Sequence, residues 1–485
     1  MREQLVISGI PDSIRQDSWW LDAEPAALEN KAPRRETGFA ISQIPSRSIL
    51  ALLLIIAAAD TLFWNGGFGV SLPLFAACLV AAVKIKAPDK SGLRRACTIL
   101  IVSAAPAIEY VQLLSFMFLV IGTALAVVSV KVPDQALRSA GGQAIGLLRH
   151  LPIAWIRLPL FALKSLTVSV YRPGYRSHFA SICSNWAFPV GGAFVFSALL
   201  IEANPLLWTI DAPNLNVAEV LRRVLFWGGI ALLAWPILAG DLGEVPSCPE
   251  MKINITKFGI NAGSVIRSLW LFNALIALQT VLDLSIILGD TALPAGMSYA
   301  EYAHRGAYPL FAMALFAGAF ALTARPYLDE AAAMRPLMYL WLGQNIVVCG
   351  SALLRLELYI NVYGLTYMRI YAQIWICLVA AGLALTAWQV HRSQSNAWLL
   401  LRCAGLAGIV LYGACFVNFA KVIVDHNVTL ADPDYGYLCR LNATSGIYRH
   451  VTVGETGYGD NYCRFKIPQI ETWQKWGFRT WRALP

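Results

Sequence analysis

Asp283 is a carboxylate inside an apolar run, Leu269 to Gly289, that is long enough to cross a bilayer. A charge at such a place costs about 2.5–3.5 kcal/mol on insertion scales, so it calls for a partner or a function. The loop that follows reads Met297-Ser298-Tyr299-Ala300-Glu301-Tyr302-Ala303-His304-Arg305-Gly306, and its spacing lets Glu301 share a helix face with His304 or Arg305. Arg355 and Glu357 close a later apolar run, and Tyr363, Thr366 and Arg369 follow it. Helices that run alternately up and down bring all of these to one membrane face, with Glu109 and Glu202 as neighbours. Two readings stand side by side. In one, a polar pocket opens at that face, Glu301 and His304 exchange protons, and the arginines hold an anionic group. In the other, the charges are ion pairs that tie loops to helix ends, with Asp283 neutralised by Arg355 or Arg369.

Other chemistry finds less support. The chain contains no phosphate-binding GxxxxGK[ST], no HExxH, no GxSxG and no Rossmann glycine pattern, so soluble-type ATPase, zincin and hydrolase classes fall away. Asp432-Pro433-Asp434 has the form of a metal-binding DxD, but an Asp-rich turn accounts for it. The ten cysteines form no CxxC pair and no zinc-spaced cluster with histidine. No metal or cofactor is expected.

The elements that must position these residues follow from composition. Hydrophobic residues make up 57% of the chain, charged residues 14%, and the mean hydropathy is +0.57. A soluble protein has about 45–50% and about 25%. The expected fold is therefore an all-α polytopic membrane protein whose first partner is the lipid bilayer. The net charge of +9 is spread between apolar runs rather than gathered into one patch, which suits loops held against anionic lipid and argues against nucleic acid.

Spans are expected at Ser48 to Trp64 and Phe68 to Val83, paired across Asn65-Gly66-Gly67. Ala96 to Val130 as one helix would reach about 52 Å, so it is divided at Pro106 to Gln112 into two spans. Residues 131–185 alternate basic and apolar positions and read as a basic interfacial insert. Seven more spans follow at Trp186 to Ile201, Val220 to Ala239, Leu269 to Gly289, Tyr308 to Ala324, Leu337 to Leu356, Ile370 to Val390 and Leu399 to Ala420, about eleven transmembrane helices in all. Residues 1–47 form a polar, partly disordered tail without a cleavable signal, 48–420 the membrane body, and 421–485 a small extracytoplasmic C-terminal appendage. The distribution of Lys and Arg in short loops places the N-terminus in the cytoplasm and the C-terminus in the periplasm. In the appendage, Cys439 and Cys463 are separated by turn-rich sequence and are expected to form a disulfide, which in the chain-entropy model contributes about 3 kcal/mol.

The residues Ser298 to Gly306, the preceding Asp283, and Tyr363-Gly364-Leu365-Thr366 with Arg369 resemble bacterial inner-membrane proteins carrying the domain of unknown function four-one-seven-three, relatives of four-one-five-three. The resemblance covers the body and implies a polytopic bacterial protein whose shared positions are Asp283, Tyr299, Glu301, Tyr302, Arg305, Gly306, Tyr363, Gly364, Thr366 and Arg369. It implies no activity. Two functional classes remain. The first is transport or sensing of a small or lipid-linked molecule through an outward polar pocket formed by Asp283, Glu301, His304, Arg305, Arg355, Tyr363, Thr366 and Arg369. The second is a membrane-embedded transferase using a lipid-linked donor, with Glu301 or His304 as base.

Overall fold

The computed structural model describes residues 46–86, 92–131, 140–149, 217–239, 261–287, 315–450 and 467–484, with short helical pieces between 151 and 200 and at 312–313. Its helices are α1 (Ser46–Phe63), α2 (Ser71–Lys86), α3 (Leu93–Glu109), α4 (Leu113–Lys131), α5 (Val217–Ala239), α6 (Ala262–Ile287), α7 (Met334–Tyr363), α8 (Tyr367–His391), α9 (Asn396–Ala414), α10 (Phe419–Asn427), α11 (Tyr435–Leu438) and α12 (Phe478–Arg482). No strand occurs among the described residues.

Apolar side chains occupy both the buried and the outward faces of the helices. On α1, Ala51, Ile55, Ala59 and Leu62 are buried at helical spacing, while Ile49, Leu50, Leu53 and Leu54 face outward. Large apolar residues are exposed on nearly every long helix, including Ile101, Leu113, Leu225, Leu275 and Ile409. In water such surfaces would associate, whereas in lipid they are solvated, and the contact faces are left to small residues. α3 and α4 show this most closely: a methyl group at Gly122 would come within 2.1 Å of Ser103, so only glycine lets the two helices meet there.

Six described helices are long and apolar enough to span a membrane: Leu113–Lys131, Ala218–Leu238, Ala262–Leu282, Met334–Tyr363, Tyr367–His391 and Asn396–Ala414. Ser48–Phe63 and Ser71–Ile85 are apolar but shorter. The expected helical membrane class is met, and six of the eleven expected spans correspond to these helices among the described residues. The expected runs at Trp186 to Ile201 and Tyr308 to Ala324 lie partly outside the described residues, as does nearly all of the 1–47 tail. Of the basic insert, the helical piece 140–149 packs Ala140 and Ala144 against Ala124 and Val128 of α4.

The expected division of the long run at Pro106 to Gln112 holds, while two boundaries differ from those read in the sequence. The long run from Ala96 breaks at Tyr110–Gln112, where Tyr110 turns to an extended backbone and Ser115 accepts from Gln112 N while donating to the carbonyls of Tyr110 and Gln112. The run that hydropathy ended at Leu356 continues to Tyr363, a 30-residue helix about 45 Å long, because Arg355 and Glu357 do not interrupt helical geometry. The last span ends at Ala414 rather than Ala420, and Asn418 then caps a separate helix, α10, by accepting from Lys421 N.

Contacts order the ends of the helices. α5 runs antiparallel to α1, since Arg223 near the start of one meets Asp60 near the end of the other, Nε to Oδ1 2.9 Å. α6 packs on α7, with Asn273 donating to the Leu337 carbonyl beside a core of Leu269, Met338, Trp341 and Leu342. At one end lie the basic turns 325–335 and 391–396, joined by Arg335 to Ser393 and by Asn396 to the Leu322 carbonyl. At the other end lie the α1–α2, α3–α4 and α7–α8 turns and the segment after α9.

Candidate functional site

The segment after α9 folds into a cap over those three turns. Its core is Ile423, Val424, Leu438, Leu441 and Ile447, packed on Ile360, Leu365 and Ile370 at the α7–α8 turn. Asn427 reads the backbone of that turn: its Oδ1 accepts from Leu365 N at 2.6 Å and its Nδ2 donates to the Leu365 carbonyl at 2.9 Å. Gly364 must precede this contact, because its φ of 78° is left-handed and a side chain would meet Asn427 at 3.1 Å. Tyr437 adds a hydroxyl that accepts from Tyr367 N.

Residues 467–484 close over the other two turns. Trp476 accepts from Val70 N at 2.9 Å, and the carbonyl of Gln474 lies 2.4 Å from where a side chain at Gly69 would begin. Arg479, 5% exposed, donates from Nε to Glu109 at 3.3 Å and from Nη2 to the Cys415 carbonyl at 2.6 Å, and stacks over Tyr110. Arg482 donates to the same Glu109 oxygen at 2.7 Å. One buried carboxylate therefore holds two guanidiniums, and through them ties the last helix to the α3–α4 turn. Burial pushes the thiol of Cys415, beside this junction, above its ordinary value.

Between these two parts of the cap lies a pocket of about 200 Å³ lined by Lys421, Asp425, Arg449, His450, Arg479 and Arg482, with Asn418, Ser445 and Tyr448 among its uncharged polar residues. Lys421 pairs with Asp425 at 2.6 Å. Arg449 Nε donates to the Tyr448 hydroxyl at 3.0 Å, and that hydroxyl donates to the Ala483 carbonyl at 2.9 Å, so the guanidinium is held in place. Cations outnumber carboxylates among the residues lining it, a balance that suits an oxyanion. No group of three or more His, Cys, Asp or Glu residues suited to a metal occurs among the described residues.

The residues expected to form the site are placed as follows. Tyr363, Thr366 and Arg369 meet at the α7–α8 turn beneath the cap. Arg369 donates to the Tyr363 carbonyl at 2.8 Å and to that of Gly364, and its guanidinium lies 4.2 Å from the ring centre of Tyr359, so it closes the end of α7. Thr366 is the N-cap residue of α8, with extended backbone. Arg355 is 8% exposed, two turns deeper in α7. Asp283 lies in the last part of α6, with its side chain outside the described residues, and Glu301, His304 and Arg305 lie outside them altogether. No disulfide joins two described cysteines; Cys439 is disulfide-bonded, and Cys463 lies outside the described residues.

The pocket cations were not singled out in the sequence. Residues 421–485 contain eight Lys and Arg against six Asp and Glu, an excess scattered singly along the segment and so without a local motif. Glu109 was named only as a neighbour of the charged cluster, and its partners lie 370 and 373 positions away.

A family described as "Domain of unknown function (DUF4153)" matches residues 96–446, more than half of the chain. It is the one that the sequence resemblance gave as a relative, while the domain four-one-seven-three is not the one matched. The match takes in α3 to α11 and stops before the segment 467–484. No curated protein and no solved structure matches.

Proposed function

The chain belongs to the DUF4153 family, a domain of unknown function, and on that premise we propose that it moves or senses a small or lipid-linked molecule at the membrane face where the cap sits. The observation that carries this reading is the basic pocket between α10, the 444–450 turn and α12, built over the ends of three helical hairpins. A ligand held there touches elements that contact α3, α7, α8 and α9, so its binding is coupled by contact to the bundle.

The cap faces the periplasm in this proposal. Support comes from the short-loop charge pattern, which leaves Lys84, Lys86, Arg325, Arg335 and Arg392 at the opposite end, and from the disulfide at Cys439, proposed to pair with Cys463, since such a bond persists in an oxidising compartment. Of the expected polar cluster, Arg355, Tyr363, Thr366 and Arg369 are on α7, the α7–α8 turn and α8 beneath the cap, and in this proposal they lead from the cap into the bundle.

Complementation of a knockout strain tests the proposal. Arg449→Gln with Lys421→Gln, and separately Asp283→Asn with Glu301→Gln, should lose complementation at normal expression, whereas Arg335→Gln at the opposite end should not. Full complementation by both pairs would refute it.

A further inference from the structure

We infer that the cap pocket is a phosphate site, a statement that rests on the cap being the face where the protein meets its ligand and adds the chemical class. Four cations, Lys421, Arg449, Arg479 and Arg482, stand at the pocket, while the carboxylates that engage any of them among the described residues are Asp425 and Glu109. The excess is two positive charges, which matches a phosphate mono- or dianion better than a neutral polar molecule. The cations come from three separate pieces of chain, α10, the 444–450 turn and α12, so positive charge is gathered around the pocket rather than in one planar fork. A carboxylate is satisfied by one planar fork, whereas a tetrahedral phosphate uses donors from several directions.

Pre-organisation points the same way. Arg449 is fixed by the Tyr448 hydroxyl, itself tied to the Ala483 carbonyl, so little side-chain entropy is lost when a ligand arrives. A volume of about 200 Å³ suits a phosphate with a short polar substituent. The position of the pocket is informative too. Trp473, Phe478 and Trp481 on the neighbouring segment are exposed, and aromatic side chains of this kind settle at the level of lipid headgroups. The pocket therefore stands where phosphate is abundant, either on a lipid headgroup or free in solution.

The test uses the full chain in phosphatidylcholine nanodiscs, with phosphatidic acid in the bilayer or inorganic phosphate in solution as probe, read by native mass spectrometry and calorimetry. Retention of phosphatidic acid over phosphatidylcholine, weakened about tenfold by Arg449→Gln, is the expected result, each lost charge-assisted bond removing on that order. Binding of inorganic phosphate with the same Arg449 dependence identifies a free-phosphate site; phosphatidic acid binding that phosphate does not displace identifies a headgroup site. If Arg449→Gln fails to fold, Lys421→Gln serves, since Lys421 is surface-exposed. Absence of both probes above the phosphatidylcholine control, or binding unchanged in a folded variant, overturns the assignment. A pocket variant that loses complementation in a protein binding neither probe overturns phosphate alone and leaves the working face intact.

Discussion

Arg479 Nε lies 3.3 Å from Glu109 Oε1, and both side chains are more than nine-tenths buried although 370 residues separate them. Breaking a buried ion pair by removing one partner typically costs about 3–5 kcal/mol, because the other charge stays buried. Glu109→Gln should therefore lower the thermal midpoint of the purified protein and make the 467–484 segment sensitive to protease. An unchanged midpoint with an intact segment would show that the junction contributes nothing to docking.

The Asn427 contact gives a graded series. Asn427→Asp still accepts from Leu365 N but cannot donate to its carbonyl, and Asn427→Ala does neither. Leaving buried backbone groups unsatisfied costs about 1–3 kcal/mol each, so stability by chemical denaturation should fall in the order Asn, Asp, Ala. Gly364→Ala should destabilise as well, by about 1–3 kcal/mol, since φ of 78° is strained for alanine. Equal stability across these variants would mean that the cap is not fastened at this turn.

Asp60 ties α1 to α5 by accepting from Arg223 Nε at 2.9 Å and from Trp227 Nε1 at 2.9 Å, with Arg223 also over the rings of Trp64 and Trp227. Asp60→Asn removes the carboxylate that Arg223 donates to, leaving the weaker attraction of Glu219. Expression in the membrane should drop for Asp60→Asn and recover in part in the double variant Asp60→Asn with Arg223→Gln. A double variant worse than the sum of its singles would argue against a direct pair.

Cys415 supplies a pH signature. Its thiol is raised above the ordinary 9.0, chiefly by burial, so folding favours the protonated form. The contribution to stability is present below pH 9.0 and is lost as pH rises from there through the raised value. Alkylation of Cys415 in the folded chain should be slow at pH 8 and faster in Arg479→Gln, which releases the segment donating to its carbonyl. Equal rates in both would separate Cys415 from the clasp.

Much of the bundle was legible because lipid imposes a simple rule: apolar runs of sufficient length become helices. Pro106 and Glu109 marked the break between α3 and α4 for that reason. Hydropathy was less able to place ends. It stopped at Leu356 on meeting Arg355 and Glu357, although helix α7 continues to Tyr363, and it ran through Ala414 to Ala420 because residues 415–420 are apolar while turning. The pocket was hidden for a different reason. Lys421, Arg449 and Arg482 occur singly in unrelated stretches, and only the fold of the cap and the reach of Glu109 bring them together. Arg369 was legible as notable, yet its side chain is engaged by the carbonyls of Tyr363 and Gly364, a local contact that spacing alone does not distinguish from ligand binding.

The most direct test asks whether the cap pocket is open and on the outer side. His450→Cys, placed at the pocket wall with the four cations left in place, is exposed in intact cells to a membrane-impermeant maleimide and compared with the wild-type chain. Labelling before permeabilisation, diminished by added phosphate, is the expected result. Labelling that appears only after the membrane is permeabilised would place the cap on the cytoplasmic side and contradict the proposed function.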